Sequence, residues 1–214
     1  MADTLSGDET LILPEFDVPP ADPVALAAEW LNRAGERGVR EPWVAALATV
    51  GTEPDGTHPV PSVRMVLVKA IDEAGLVFAT STTSRKGREL AANPQASAVF
   101  YWRETIQQLR VEGLVEQVSD EESDRLFTER SRSARAATAV SHQGRPLESE
   151  EHLAAEAQRL IDGEAGIARP ADWAGYRLVP TGIEFWHGRT DRLHRRLAYR
   201  RQADGAWWAQ RLQA

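Results

Sequence analysis

Residues 60–70 read Val-Pro-Ser-Val-Arg-Met-Val-Leu-Val-Lys-Ala, a long extended run that puts Val63, Met65, Leu67 and Lys69 on one face and Arg64, Val66 and Val68 on the other. A strand of this length constrains the fold more than any other feature, because its backbone must be paired along its whole course. Other segments read as its partners. Residues 44–50 look like a buried strand, and Glu53-Pro54-Asp55-Gly56 is the turn that follows. Asp72-Glu73-Ala74-Gly75 turns the chain into a strand at 76–80, and 96–103 and 106–118 form a further pair. Residues 176–179 and 183–186 are two more strands. Asp204-Gly205, between 197–201 and 206–212, marks a hairpin.

Helices are interspersed. Asp22-Pro23 combines a capping side chain with proline at the first helical position, Leu26, Trp30, Leu31 and Ala34 follow at helical spacing, and Gly38 ends the run. A short helix starts after Ser84 and reaches Asn93-Pro94. Ser119-Asp120-Glu121-Glu122 is a capping box for a helix over 120–130. Another helix begins after Ser149 and carries Leu153, Ala157, Leu160 and Ile161. The sum predicts an α+β fold, an antiparallel sheet or barrel with flanking helices, in one domain over 21–214. Residues 1–20, with Pro14, Pro19 and Pro20, are expected to be an irregular N-terminal arm. That arm and the polar stretch 131–147 are expected to be mobile and to close over the site.

Several chemistries are excluded or disfavoured. The chain has no cysteine, which removes disulfides, thiolate metal sites and cysteine nucleophiles. His58, His142, His152, His187 and His194 show no metal-ligand spacing, so no metal site is expected. No apolar run nears the roughly 18 residues of a membrane span, and residues 1–17 lack the pattern of a signal peptide. The expectation is a cytoplasmic protein without a membrane or nucleic-acid partner, the latter because the pI is about 5.3. A dinucleotide fingerprint, a P-loop and a serine elbow are all missing.

Cationic residues are grouped against this acidic background. Five arginines fall between Arg192 and Arg201, although the formal net charge is −7. Such a cluster costs self-repulsion and asks for an anion. A second set comprises Arg64, Lys69, Arg85 and Lys86. Ser84-Arg85-Lys86 at a helix start suits a phosphate, through free N–H groups and the helix dipole; a solvated helix end is the alternative. Gln107 and Gln108, in an apolar strand, and Gln143, in a polar loop, suit either a flat heterocycle or backbone partners. Arg192-x-His194 suits an anion grip with a proton donor, or an ordinary surface histidine. Trp102 and Trp186 are by composition more often core than cofactor lining.

Three stretches carry a resemblance. Arg64-Met65-Val66-Leu67-Val68-Lys69, Ser84-Arg85-Lys86-Gly87-Arg88-Glu89-Leu90 and Glu184-Phe185-Trp186 with Arg192-Leu193-His194-x-Arg196 resemble the pyridoxamine 5′-phosphate oxidase family, in its order, from about Ala21 to the C-terminus. The resemblance implies an FMN-binding split β-barrel that forms a homodimer with active sites at the interface, and dioxygen as acceptor. By matched position it implies FMN contacts from Arg64, Met65, Val66, Leu67 and Lys69, from Ala79 and Thr80, and from Arg85 and Lys86. Gln108 and Gln143 would also reach the flavin, and Trp186 and Arg196 would complete the pocket from the other subunit. Substrate contacts are implied for Lys69, Arg130, Arg192 and His194, the last two in catalytic positions.

The family's substrate-phosphate clamp is only half present. Lys69 and Arg130 match its lysine and arginine, but Leu126 stands for its tyrosine and Ala134 for its serine. Two lost hydrogen bonds to a charged group are worth about 100-fold or more in affinity. Other stretches are similar to the family's branch that acts in phenazine biosynthesis: Ala21-Asp22-Pro23, Trp30-Leu31-x-Arg33-Ala34, Arg40-Glu41-Pro42, Tyr101-Trp102-Arg103-Glu104-Thr105 and Arg211-Leu212-Gln213. This branch implies a small aromatic anionic substrate, a reduced tricyclic carboxylate, with Leu126 and Ala134 packing on its rings. The alternative is a pyridoxamine or pyridoxine 5′-phosphate oxidase whose clamp is rebuilt from Arg132, Ser133 or Arg135.

Overall fold

The long strand at 59–72 is paired on both sides, within a sheet that closes on itself. The computed structural model describes residues 6–53 and 56–214. In chain order the strands are β1 (Val44–Thr52), β2 (Pro59–Asp72), β3 (Gly75–Ser81), β4 (Gln95–Trp102), β5 (Gln107–Gln117), β6 (Trp173–His187), β7 (Arg195–Arg201) and β8 (Trp207–Leu212). The helices are α1 (Pro23–Glu36), α2 (Arg85–Ala92), α3 (Asp120–Thr128), α4 (Arg132–Val140) and α5 (Glu150–Asp162). All strand pairs are antiparallel, in the order β3-β2-β1-β4-β5-β6-β7-β8. β3 also pairs with the first half of β6, from Leu76 opposite Leu178 to Ser81 opposite Trp173. Six strands therefore close a barrel, while the second half of β6 leaves it to carry β7 and β8.

β6 corrects the expectation of two separate strands, since it runs unbroken through Pro180. Proline donates no hydrogen bond, and the β5–β6 register shifts between Glu112 and Gly113, next to the Gly113–Pro180 pair. A Cβ on Gly113 would lie 2.0 Å from Val179 O, so the close approach there requires glycine.

The core fills the barrel and continues under α1. Leu47, Val68, Leu76, Phe78, Phe100, Leu109 and Val111 face inward from the strands, and Leu26, Trp30 and Leu31 come from α1. α1 begins as expected, with Asp22 Oδ1 accepting from Val24 N at 2.9 Å and Ala25 N at 3.1 Å. Outside the barrel, α3 packs Leu126 and Phe127 on Val77, Val118 and Trp173.

Two segments read from the sequence as irregular contain regular, packed structure. The chain before α1 is packed: Leu13 and Phe16 are buried, a 3-10 turn spans Pro14–Phe16, and Glu15 accepts from Trp30 Nε1 at 2.5 Å. Residues 1–5 of that arm, and Pro54 and Asp55 of the turn before β2, lie outside the described residues. Residues 132–140 form α4, capped by Ser131 Oγ on Ala134 N and packed against α5. Among the described residues no helix is long and apolar enough to cross a membrane.

Candidate active site

β2 gives the site its floor. Its outward face leaves Val63, Met65 and Leu67 at 68, 63 and 49% exposure, a ridge of apolar side chains on the surface. Lys69 ends the ridge at a bulge: Val68 pairs with Phe78 and Ala70 with Val77, so Lys69 is the extra residue. Such bulges re-aim side chains, and this one turns Lys69 into a cavity of about 700 Å3.

That cavity collects nine of the residues implied by the resemblance: Met65, Val66, Leu67 and Lys69 from β2, Ala79 and Thr80 from β3, Lys86 from α2, Arg130 after α3, and Gln143 after α4. Lys86 is buried, and its Nζ donates to Thr80 Oγ1 at 3.0 Å and Gln143 Oε1 at 3.3 Å. Burial and the nearby Arg64 push its pKa down, and among the described residues it forms no ion pair. Lys69 is likewise held below the ordinary lysine range, first by burial and then by Arg130. Arg130 donates to Thr138 Oγ1 at 2.7 Å, and its guanidinium lies 5.4 Å from the Trp173 ring centroid. Three cations thus line one hollow.

Arg64 and Arg85 stand behind Lys86 rather than in the cavity lining. Arg64 donates to Thr49 Oγ1, Ser62 Oγ and Leu47 O. The buried carboxylate of Glu89 links both arginines, at 3.2 Å to Arg64 Nη2 and 2.8 Å to Arg85 Nε. Burial pushes the Glu89 carboxyl up, but donations from Ser62, Thr49, Arg85 and Arg64 outweigh it and hold the pKa at about 2. Sequence reasoning missed Glu89; its only signal was its place one helical turn after Arg85.

The remaining site residues form a second patch. One rung of the sheet aligns Gln108 on β5, Trp186 on β6 and Arg196 on β7, so their side chains share a face. Arg196 Nε donates to buried Glu184 at 2.7 Å, and Arg110 does so at 2.5 Å. The His194 ring lies 4.8 Å from the Trp186 ring, and its Nδ1 accepts from Arg189 N at 3.1 Å. Arg192 is in the same loop at φ +66°. None of these residues lines the cavity.

The cavity's far wall comes from α4 and α5 and is mostly apolar: Ala137, Thr138, Val140 and the capping Ser141, then Glu150 at the start of α5 and Leu153, Ala154 and Ala157. Only Leu153 and Ala157 were foreshadowed, by their helical spacing. Leu126 and Ala134, expected against the substrate, do not line the cavity. Leu126 is 4% exposed and packs on Val118 in the outer cluster, where a Cβ on Gly175 would be 2.7 Å from its Cδ1. The rebuilt phosphate clamp is not formed either. Arg132 is committed to the carbonyls of Leu160, Ile161 and Ala165 at the end of α5. Ser133 pairs with Ser131 at 3.0 Å, and neither it nor Arg135 reaches the cavity. Among the described residues there is no cluster that would hold a metal ion.

Comparison with known proteins agrees with this arrangement. The family model for pyridoxamine 5′-phosphate oxidase matches residues 31–162, and that for the pyridoxine 5′-phosphate oxidase C-terminal dimerisation region matches residues 173–214. Pyridoxine/pyridoxamine 5′-phosphate oxidase of Cupriavidus pinatubonensis is 44% identical, over 94% of this chain and 92% of its own. The protein of that name from Burkholderia lata is 46% identical, over 90% and 87%. The crystal structure of PhzG from Burkholderia lata, in complex with tetrahydrophenazine-1-carboxylic acid, superposes with a TM-score of 0.90 at 40% identity, over 97% of this chain and all of that one. An FMN-binding protein from Nostoc punctiforme shares the fold, at a TM-score of 0.67 and 18% identity. The closed six-strand barrel with its two-strand extension, and family models that together span most of the sequence, establish that the chain belongs to the pyridoxamine 5′-phosphate oxidase family and is an FMN-dependent oxidoreductase.

Proposed function

We propose that this protein oxidises a reduced tricyclic phenazine carboxylate to its aromatic form, with dioxygen as the final acceptor, and that it works as a homodimer with two interface sites. The carrying observation is the cavity itself: an apolar wall of Ala137, Val140, Leu153, Ala154 and Ala157 faces Lys69 and Arg130. A flat apolar ring system with one carboxylate satisfies both sides. The two hydroxyl residues of the family's phosphate clamp are replaced in the sequence by Leu126 and Ala134, whose side chains lie outside the cavity. On the wall facing Lys69 and Arg130, Thr138 is committed, accepting from Arg130 and donating to Ala134 O at 2.9 Å, which leaves Ser141 as the one remaining hydroxyl there against the two of the family's clamp.

The residues fit FMN. Among the described residues Lys86 is a buried ammonium with only neutral hydrogen-bond partners, Thr80 and Gln143, while Arg64 is close by and Arg85 is its neighbour at the start of α2, so a phosphate would complete the set. Bound there, FMN supplies two-electron acceptance and its own reoxidation by dioxygen. The protein supplies position and field. Gln108, Trp186 and Arg196 would close the pocket from a second copy, whose docking covers the Val63, Met65 and Leu67 ridge. The matched dimerisation region supports this arrangement. Arg192 would take the substrate carboxylate as a fork, and His194, accepting at Nδ1, presents a hydrogen on Nε2 as a donor. Two hydrogens leave the substrate and dioxygen becomes hydrogen peroxide.

The second reading, a pyridoxine or pyridoxamine 5′-phosphate oxidase, rests on the names of relatives at 42–46% identity. Steady-state turnover of dihydrophenazine carboxylate and of pyridoxine 5′-phosphate by the FMN-loaded protein separates the two. Preference for the tricycle is expected; turnover of only the vitamin substrate would reject the first reading.

A further inference from the structure

The chain near its N-terminus makes contacts that neither the core nor the cavity requires. Gly7 lies beneath the β4–β5 turn, where a Cβ would stand 2.2 Å from Arg103 O and 2.6 Å from Glu104 O, so no other residue fits. Asp8 N donates to Glu104 O at 2.8 Å, and Asp8 O meets the buried His187 Nε2 at 3.4 Å. The Glu9 carboxylate then accepts Thr190 N at 2.9 Å and Thr190 Oγ1 at 3.3 Å. These bonds hold Glu9 below the usual carboxylate range.

Thr190 belongs to the loop 188–194 between β6 and β7. Gly188 N ties the loop's start to Ile106 O at 2.8 Å, in the turn that covers Gly7. Inside the loop, Arg189 pairs with Asp191 at 2.7 Å, Asp191 Oδ1 accepts Leu193 N at 2.9 Å, and Arg189 N donates to His194 Nδ1 at 3.1 Å. Arg192 holds a left-handed backbone at φ +66°, which a non-glycine residue keeps only where its surroundings over-determine it.

We propose that residues 7–9 are a strap that positions the 188–194 loop, with Gly7 and Glu9 as positioning residues for Arg192 and His194. The inference rests on the substrate-side role given above to that pair. Its physical content is that a loop already ordered loses less freedom when substrate binds. Gly7 wedges the strap under one turn, and Glu9 closes it on the loop with an ionised acceptor.

The test uses the full-length FMN-loaded protein with Gly7→Val, Glu9→Ala and Glu9→Gln. Amide hydrogen exchange over 188–194 is read first, then kcat and KM for dihydrophenazine carboxylate, with FMN affinity and melting temperature alongside. In Gly7→Val and Glu9→Ala, exchange at Arg189 and Thr190 should quicken about tenfold and KM should rise about tenfold, a change of about 1.4 kcal/mol. Glu9→Gln, which keeps one acceptor for Thr190 N, should fall between. FMN affinity should stay within about twofold, and the double variant should be no worse than Gly7→Val alone, since both release one strap. Wild-type exchange rates in both variants would overturn the proposal, and so would an equal loss of FMN affinity. Failure of the wild-type protein to oxidise the tricycle would defeat the functional reading alone, while exchange still decides the strap.

Discussion

Replacing Glu89 with glutamine removes the anion that joins Arg64 to Arg85 and accepts from Thr49 and Ser62. The carboxyl titrates at about 2 in the folded chain against an ordinary 4.5. A depressed carboxylate stabilises the fold fully above its unfolded pKa, and the gain is lost as the pH falls through the folded one. At pH 7 the charge is therefore worth on the order of 3 kcal/mol, and at pH 3 about half of that. Glu89→Gln should lower the melting temperature by about 6–12 °C at pH 7, using 2–4 °C per kcal/mol for a chain of this size. Scanning fluorimetry of both proteins without cofactor, at matched pH from 7 down to 3, checks it. The gap between them should narrow steadily below about pH 4.5. A gap that stays constant with pH, or none at pH 7, would refute the assignment of a charged Glu89 as the clamp between the arginines.

Other outcomes follow from the same geometry. Lys86→Met should weaken FMN about 10- to 100-fold in a fluorescence titration and leave riboflavin affinity unchanged, because only the phosphate contact is lost. Arg130→Met should raise KM for the tricyclic carboxylate about tenfold in steady-state assays, with FMN affinity intact. Ala157→Phe, which fills the apolar wall, should exclude the tricycle while leaving flavin absorbance in place. Leu67→Asp, on the exposed ridge, should halve the mass seen by light scattering and release the flavin.

The fold was legible where a local rule and the tertiary contacts agree. Asp22-Pro23, Ser119 and Ser149 each start a helix at the predicted place, and their side chains accept from the expected amides. The Asp204-Gly205 hairpin forms with Gly205 at φ +86°. The opposed faces of β2 separate Arg64 from Lys69 as alternation requires, although the bulge at Lys69 could not be read in advance. Pro180 divided β6 in two on paper, because the register shift that accommodates it, with Thr181 as the extra residue on β6, has no signal in the sequence. α4 was missed because Arg132–Val140 is mostly small residues, and its order comes from α5 and from Arg132 capping that helix. At the site, the cations were visible as clusters, but their division was not. Residue type alone gives no sign that Lys69, Lys86 and Arg130 share one cavity while Trp186, His194 and Arg196 face elsewhere. Leu126 shows the limit of position matching, since its side chain is drawn into the hydrophobic contact with Gly175 and Val118.

Subunit complementation tests the central claim, that one functional site joins the cavity of one copy to the Gln108, Trp186 and Arg196 patch of another. Lys86→Met and Arg196→Met homodimers, each impaired, are mixed under conditions that allow exchange. Each mixed dimer then holds one site with both halves intact, so flavin binding and oxidase turnover should recover to about a quarter of the wild-type level. Activity that stays at the level of the unmixed variants would contradict the account and place both groups of residues in sites of their own.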